Sequence, residues 1–305
     1  MMYVLLILGF IFLIKGADFF VDGASSVAKL LKIPSVIIGL TVVAMGTSAP
    51  EAAVSISAGL SGNSDIALSN VVGSNIFNLL IVVGVSAIIS PIATEKVIIT
   101  RDIWWSLGAA GVLFVMMLDM SISKIEGVLL ICGMIAYIVI LIGSAKKNRT
   151  EGDGIKTMFP VKSVIYILGG LAAVVFGGNL VVDNAVLIAK AIGMSETFIG
   201  LTIVAVGTSL PELVTSVVAA KKGDSGLAFG NVVGSNIFNI LFILGFASTL
   251  SAINASTILI IDTAILMGIT LVMYAIGRSH GKTTRLEGIL CVAMYIVYTA
   301  YISIR

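Results

Sequence analysis

Long apolar segments alternate with short polar ones along almost the whole chain of 305 residues. A helix needs about 20 apolar residues to cross a bilayer, and on this measure the sequence predicts ten transmembrane helices, five in each half. Their approximate ranges are 2–31, 34–60, 66–90, 98–118 and 124–143, followed by 161–191, 196–220, 227–250, 256–277 and 285–304. The chain is therefore predicted to be an all-α integral membrane protein.

The two halves repeat one another. Segment 39–51 reads Gly-Leu-Thr-Val-Val-Ala-Met-Gly-Thr-Ser-Ala-Pro-Glu, and segment 200–212 matches it at ten of thirteen positions. Segments 70–78 and 231–239 both read Asn-Val-Val-Gly-Ser-Asn-Ile-Phe-Asn, again 161 residues apart. The sequence thus predicts three parts, which are a first five-helix repeat (1–143, with its motif at 39–78), a linker (144–160) and a second five-helix repeat (161–305, with its motif at 200–239).

Five spans in each half is an odd number, so equivalent helices of the two halves cross the membrane in opposite directions. Such inverted-topology repeats place ion and substrate sites near the bilayer midplane, where interrupted helices meet. Cytoplasmic loops carry an excess of Lys and Arg, and most of the basic residues fall on the side of the linker, which itself holds Lys146, Lys147, Arg149 and Lys156. The linker is therefore predicted to be cytoplasmic, and both termini extracellular, in a multi-pass protein of the cell membrane.

Each copy of the first motif contains a helix breaker. Pro50 has no N–H to donate to the carbonyl of Gly46, so the second helix must kink or open there. Pro211 and Gly207 repeat the arrangement. Carbonyls freed near Ala44 need a partner inside the membrane, and a bound cation is one group that could supply it.

The polar residues of the motifs share a helical spacing that brings them together. The first motif places two hydroxyls and a carboxylate at i, i+1 and i+4, as Thr47, Ser48 and Glu51 and again as Thr208, Ser209 and Glu212. The second places polar residues every four positions, as Asn70, Ser74 and Asn78 and again as Asn231, Ser235 and Asn239.

Together these side chains predict a cation site built from oxygen alone. Ca²⁺ takes six to eight oxygen ligands in flexible geometry, and Na⁺ accepts the same ligand types. With Cys132 and Cys291 in apolar runs and a single histidine, a thiolate or imidazole site cannot form. A purely structural role for Glu51 and Glu212 is disfavoured, because a carboxylate inside the membrane costs several kcal/mol. Asn70 and Asn231 fit interhelical hydrogen bonding equally well.

Composition narrows the class of protein. With 58% hydrophobic and 11% charged residues and a mean hydropathy of +1.15, the chain is far from a soluble domain, in which about a quarter of residues are charged. A net charge of +2, with the basic residues in loops, indicates no nucleic-acid surface. Neither a zinc-protease motif nor a nucleophile–base pair is visible, so we predict no enzyme activity. A channel is the other class considered, and the opposed broken helices favour alternating access over it.

The paired blocks Gly-Thr-Ser-x-Pro-Glu and Gly-Ser-Asn-Ile-Phe-Asn resemble the α-repeats of the cation/Ca²⁺ exchanger superfamily, most closely prokaryotic Na⁺/Ca²⁺ exchangers. The resemblance implies an antiporter that exchanges Na⁺ for Ca²⁺, without cofactor or obligatory protein partner. It implies a first and sixth helix that slide against the core. The alternative is a Ca²⁺/H⁺ antiporter, which would use the same ligands.

The resemblance also implies which residues bind the ions. Glu51 and Glu212 would be the bridging carboxylates. The other implied ligands are hydroxyl, carbonyl and amide oxygens, namely those of Thr47, Ser48, Thr208, Ser209, Ala44, Ala205, Ser74, Ser235, Asn78 and Asn239. Some family members, including K⁺-dependent ones, carry an aspartate at the position of Asn239, so the amide here argues for exchange that does not need K⁺.

Overall fold

A computed structural model describes residues 2–147, 158–193 and 205–304, and almost all of them are helical. The elements of the first half are α1 (Met2–Leu30), α2 (Ser35–Thr47), α3 (Ala49–Leu60), α4 (Ser64–Ile89), β1 (Ile92–Ala93), α5 (Ile98–Asp119), β2 (Ser121–Ile122) and α6 (Lys124–Lys147). Those of the second half are α7 (Pro160–Ala191), α8 (Ala205–Thr208), α9 (Leu210–Lys221), α10 (Ser225–Leu250), β3 (Ile253–Asn254), α11 (Thr257–His280), β4 (Lys282–Thr283) and α12 (Arg285–Ile304).

Within the described ranges, eight helices are long and apolar enough to cross a membrane, and the bent pair α2–α3 makes a ninth candidate span. The predicted span 196–220 contains α8 and α9, but its first residues lie outside the described part of the chain. The predicted helical membrane fold is confirmed, while the number ten stays a prediction. Most of the predicted linker (148–157) also lies outside the described residues.

Two very short strand pairs depart from the all-helical expectation. β1 pairs antiparallel with β4, and β2 pairs antiparallel with β3. Each pair joins one half of the chain to the other, and the two pairs are equivalent under the 161-residue repeat. Hydropathy could not predict them, because two residues are too few to show a strand period.

Burial identifies the core and the periphery. In α10, 94% of the most apolar window is buried, whereas the value for α7 is 28%. The most buried helix is therefore the one that carries the second copy of the Asn-Val-Val-Gly-Ser-Asn-Ile-Phe-Asn motif, and α4 carries the first. α1 and α7 lie at the edge of this core, to which they contribute residues such as Leu13, Phe20 and Val174, and they keep much of their apolar surface exposed.

α1 and α7 pack against each other through glycines spaced seven residues apart. Gly9, Gly16 and Gly23 of α1 meet the backbone of α7, and Gly170 and Gly177 of α7 meet that of α1. A Cβ atom added at Gly16 would lie only 2.9 Å from the carbonyl oxygen of Gly170. Small residues at helix contacts let backbones approach closely in membranes, so the backbones of α1 and α7 touch at these glycines. Edge-to-face contacts of Phe12 with Phe176 and of Phe19 with Tyr166 flank them.

Candidate cation site

Both proline-containing helices are broken, as predicted. α2 ends at Thr47, Ser48 leaves the helical conformation (φ −79°, ψ 9°), and α3 continues at an angle of 51°. Ser209 has nearly the same conformation (φ −91°, ψ 7°) between α8 and α9. Pro50 and Pro211 each stand in the first turn of the second segment, where a missing N–H costs nothing. Each break thus sets a serine and a glutamate at the start of a new helix.

The two glutamates are held across the two halves. Ser48 Oγ donates to Glu212 Oε1 at 2.8 Å, and Ser209 Oγ donates to Glu51 Oε1 at 2.8 Å. All four residues are fully buried, with no exposed side-chain fraction. The serine of one break therefore supports the carboxylate of the other, and the two broken helices meet at these residues.

No protein cation neutralises this pair within the described part of the chain. Neither glutamate is in an ion pair with Lys, Arg or His there. Buried charges are costly unless they are paired or coordinate metal ions. A bound cation could therefore supply the positive charge that this pair of carboxylates lacks.

Unpartnered oxygens are concentrated among the predicted ligands. Nine buried side-chain atoms in the described residues have no hydrogen-bond partner, and six of them belong to the predicted ligands. These six are Glu51 Oε2, Glu212 Oε2, Ser74 Oγ, Thr208 Oγ1, Asn78 Oδ1 and Asn239 Oδ1. Most buried polar groups in proteins are hydrogen-bonded, so these unpartnered oxygens fit cation coordination.

Other predicted ligands lie close by but have protein partners. Thr47 Oγ1 lies 3.1 Å from both the carbonyl oxygen of Val43 and Asn231 Oδ1, so its single hydrogen has two acceptors within reach. Ser235 Oγ reaches the carbonyl oxygen of Ala44 at 3.4 Å, and that carbonyl also accepts from the N–H of Ser48 at 3.0 Å. Both lone pairs of the Ala44 carbonyl thus have protein partners, so this oxygen is not freed by the break. A hydroxyl that donates can still coordinate through its oxygen. Ala205 begins α8.

Asn70 and Asn231 brace the broken helices. Asn70 Nδ2 donates to Ser55 Oγ at 2.8 Å, and Asn231 Nδ2 donates to Ser216 Oγ at 2.9 Å. Both amides also approach the backbone carbonyl of the glutamate in their own half, at 3.3 and 3.4 Å. The geometry therefore favours interhelical hydrogen bonding as the role of Asn70 and Asn231.

The backbone widens where the predicted amide ligands stand. Asn78 begins a π-helical turn in α4 (Asn78–Val82), and Asn239 begins another in α10 (Asn239–Leu244). Such turns are rare and frequently occur at functional sites. Next to them lie Asn75 and Asn236, both fully buried, which the sequence analysis did not single out because they fall outside its four-residue stripe.

Sequence reasoning also missed a polar cluster at the linker side of the molecule. Lys222 Nζ contacts Asp22 Oδ1 at 2.8 Å and Asp18 Oδ1 at 3.4 Å. Asp224 caps α10 by accepting from the N–H of Leu227, and it also accepts from Ser25 Oγ at 2.7 Å. These contacts join α1 to the turn between α9 and α10, and no local pattern relates residues about 200 positions apart.

Glu95 stands near this cluster, between β1 and α5. Burial raises the pKa of its carboxyl, and the charges of Asp224 and Asp102 raise it further. Desolvation and like charges both disfavour an ionised carboxylate. The ionised form of Glu95 is therefore a local cost in the folded protein.

Broken helices in repeated, oppositely directed halves, with two facing carboxylates and free oxygens where they meet, define the class of inverted-repeat secondary transporters for hard cations. Comparison with known proteins agrees with this class and narrows it. The model of the sodium/calcium exchanger protein family matches residues 1–143 and 162–304. The chain therefore belongs to the sodium/calcium exchanger family.

Relatives of similar length support this assignment. The chain is 34% identical to the sodium/calcium exchanger MaX1 of Methanosarcina acetivorans over 344 residues, covering 97% of each protein. It is 35% identical to the uncharacterized membrane protein MJ0091 of Methanocaldococcus jannaschii over 295 residues, with 96% of this chain and 95% of the relative covered. Among solved structures, the sodium-calcium exchanger NCX_Mj soaked with Na⁺ and Sr²⁺ superposes with a TM-score of 0.87 at 35% identity, covering 98% of this chain and 99% of that one.

Proposed function

We propose that this protein is a secondary antiporter that exchanges Na⁺ for Ca²⁺ across the cell membrane by alternating access. The observation that carries the proposal is the pair of buried glutamates, each held by a serine of the opposite half and surrounded by oxygens without protein partners. Membership of the sodium/calcium exchanger family supports the choice of ions.

The proposed ligands are those that the sequence indicated. Glu51 and Glu212 bridge the ions, and the remaining oxygens come from Thr47, Ser48, Thr208, Ser209, Ala44, Ala205, Ser74, Ser235, Asn78 and Asn239. Two carboxylates match the charge of one Ca²⁺ or two Na⁺, and neutral oxygens complete the coordination shell. Support comes from the free oxygens of six of these residues.

Competition for one cluster would couple the two fluxes. Without an ion, two carboxylates share a buried site, and moving this charge through the low-dielectric core is costly. With Na⁺ or Ca²⁺ bound, the charge is neutralised and the rearrangement becomes accessible. The protein would therefore cross between its two open states only when loaded, which is the condition for exchange.

The energetics favour about three Na⁺ per Ca²⁺. Expelling Ca²⁺ against a gradient of about 10⁴ and about 100 mV costs ~5.6 plus ~4.6, or about 10 kcal/mol. Each Na⁺ that enters down a gradient of about tenfold yields ~1.4 plus ~2.3, or about 3.7 kcal/mol. Two Na⁺ fall short of this cost and three exceed it, so the exchange would be electrogenic.

Ion flux in reconstituted vesicles tests the proposal. Purified protein in proteoliposomes loaded with Na⁺ is expected to take up ⁴⁵Ca²⁺ when the vesicles are diluted into Na⁺-free buffer. A K⁺ gradient should add nothing, because Asn239 provides no carboxylate. Uptake that is driven by a pH gradient without Na⁺ would instead establish the Ca²⁺/H⁺ alternative, and absence of coupled Ca²⁺ flux under every gradient would refute both.

The orientation is proposed on the basic residues alone. Both termini would face outward and the linker inward, because the linker side carries most of the Lys and Arg residues. Single cysteines placed in the linker of a variant without Cys132 and Cys291 should react with a membrane-impermeant maleimide in inverted vesicles and remain unlabelled in intact cells. The opposite labelling would reverse the topology.

A further inference from the structure

Four buried asparagines form a closed network between the two halves, close to the proposed ligands. Asn75 and Asn236 exchange hydrogen bonds, since each Nδ2 donates to the other's backbone carbonyl at 3.1 Å. Asn239 Nδ2 donates to Asn75 Oδ1 at 3.0 Å, and Asn78 Nδ2 donates to Asn236 Oδ1 at 3.2 Å. All four side chains are fully buried, so every amide group here is constrained by its neighbours.

The backbone fixes the direction of these amides. The carbonyl oxygen of Asn236 can only accept a hydrogen bond, so the end of the Asn75 amide that faces it must be the NH₂ group. The other end of Asn75 is then its oxygen, which requires a donor. Asn239 donates its own NH₂ group to that oxygen at 3.0 Å. The Oδ1 of Asn239 is then the end of its amide that has no partner in the network.

The same reasoning holds in the other direction. The carbonyl oxygen of Asn75 accepts from the NH₂ group of Asn236, so the other end of the Asn236 amide is its oxygen. That oxygen accepts from the NH₂ group of Asn78. Asn78 Oδ1 and Asn239 Oδ1 are the two atoms that remain, and neither has a partner. An amide could otherwise present either end to the site, and the NH₂ end would repel a cation.

We propose that Asn75 and Asn236 are positioning residues, which hold Asn239 and Asn78 with their oxygens available to the transported cation. This inference rests on the proposed function, because it assigns a task to the supports of the proposed ligands. Each ligand is oriented from the opposite half of the chain. The network therefore also holds α4 and α10 in one fixed relation while ions enter and leave.

A pair of double-mutant cycles tests the assignment. Apparent Ca²⁺ affinity is measured as half-saturation of Na⁺-driven ⁴⁵Ca²⁺ uptake, for Asn75→Leu, Asn239→Ala and the double variant. Loss of one buried hydrogen bond is worth about 1.4 kcal/mol, so each single variant should weaken Ca²⁺ about tenfold. If Asn75 acts through Asn239, the double variant should be no weaker than Asn239→Ala alone.

The matched control combines Asn75→Leu with Asn78→Ala. Asn78 is also a proposed amide ligand, but Asn75 does not orient it. Here the two losses should multiply. Multiplying losses in both cycles, or unchanged affinity in Asn75→Leu, would show that Asn75 only packs and would overturn the proposal. If Asn75→Leu fails to fold, judged by size-exclusion chromatography, the mirror cycle of Asn236→Leu with Asn78→Ala asks the same question, with Asn239→Ala as its control.

Failure of this inference is distinguishable from failure of the proposed function. Variants Glu51→Gln and Glu212→Gln report on the cation site itself. If they abolish Ca²⁺ exchange while the asparagine cycles multiply, the site stands and the positioning role falls. If the glutamate variants keep wild-type exchange, the cation site does not lie at these residues. The positioning role of Asn75 and Asn236 is then refuted as well.

Discussion

Ser48 and Ser209 show how a carboxylate can be held in place without an ion pair. Each serine gives its glutamate one neutral hydrogen bond at 2.8 Å, which fixes the direction of the carboxylate but does not neutralise it. An arginine in the same place would form a permanent ion pair and remove the attraction for a mobile cation. The second oxygen of each glutamate has no partner among the described residues, so it stays available.

Removing either charge should abolish exchange. Glu51→Gln and Glu212→Gln keep the size of the side chain and an oxygen that can accept from serine, but they lose half of the negative charge of the cluster. We expect Na⁺-driven Ca²⁺ uptake in proteoliposomes to fall at least about 100-fold, which corresponds to about 2.7 kcal/mol or more. Asp65→Asn, at an exposed carboxylate in the first turn of α4, is the matched control and should transport normally.

Glu95 gives a pH-dependent prediction for stability. Its pKa is raised in the folded protein, so the folded state binds the proton more tightly than the unfolded state, and stability falls as pH rises through that pKa. Glu95→Gln removes the charge. The variant should melt at a higher temperature than the wild type at pH 8, and the difference should shrink toward pH 5.

Melting curves in detergent at several pH values decide this point. If Glu95→Gln raises the melting temperature by the same amount from pH 5 to pH 8, the gain comes from packing and not from the removed charge. A loss at pH 8 would contradict the prediction outright, because it would show that the ionised carboxylate stabilises the fold.

At the scale of helices, the sequence predicted the breaks but could not predict how they meet. Pro50 and Pro211 lie in repeated motifs, and proline acts on its own helix, so both interruptions could be read from the residues. The contacts Ser48–Glu212 and Ser209–Glu51 depend on the rotation and depth of one helix relative to another. Spacing within a helix contains no information on that relation, and the same holds for Asn75 and Asn236.

The glycine contact between α1 and α7 gives a prediction at this scale. In Gly16→Ala the new Cβ would lie 2.8 Å from the backbone nitrogen of Val174 and 2.9 Å from the carbonyl oxygen of Gly170. Neither backbone atom can move without displacing its helix, so we expect a loss of about 1–3 kcal/mol in stability, as for other overpacked contacts, and slower Ca²⁺ exchange.

Gly169→Ala is the matched control for this variant. Gly169 is the neighbour of Gly170 on α7, and nothing lies within 4 Å of the position of its added Cβ. Thermal unfolding in detergent and uptake in proteoliposomes should leave this control close to wild type. Equal behaviour of the two variants would show that α1 and α7 have room between them.

For the whole molecule, the contacts of α1 differ at its two sides. Its glycines meet the backbone of α7, whereas Asp18 and Asp22 pair with Lys222 beside the core. These ion pairs are partly exposed, and such pairs contribute about 0–1 kcal/mol each. They can therefore hold α1 in one position and still allow it to reach a second position. This weak hold fits the sliding of the first helix that the family resemblance implies.

The proposed exchange of about three Na⁺ for one Ca²⁺ would move one net positive charge per cycle. An inside-negative potential should therefore accelerate Ca²⁺ extrusion, since one elementary charge gains about 2.3 kcal/mol per 100 mV. Vesicles clamped with K⁺ and valinomycin at different potentials measure this dependence directly. Flux that is indifferent to the imposed potential would require an electroneutral exchange of two Na⁺ per Ca²⁺.

The crossed serine–glutamate bonds have a consequence for partial loading. Ser48 and Glu51 belong to one break, but Ser48 donates to Glu212 and Glu51 accepts from Ser209. An ion that shifts either glutamate would therefore also disturb the break that holds the serine partner of the other glutamate. A solitary Na⁺ would thus leave an uncompensated charge on one side and a displaced hydroxyl on its mirror side. In the proposed exchange, the crossed pair would therefore make each half sensitive to the charge bound in the other.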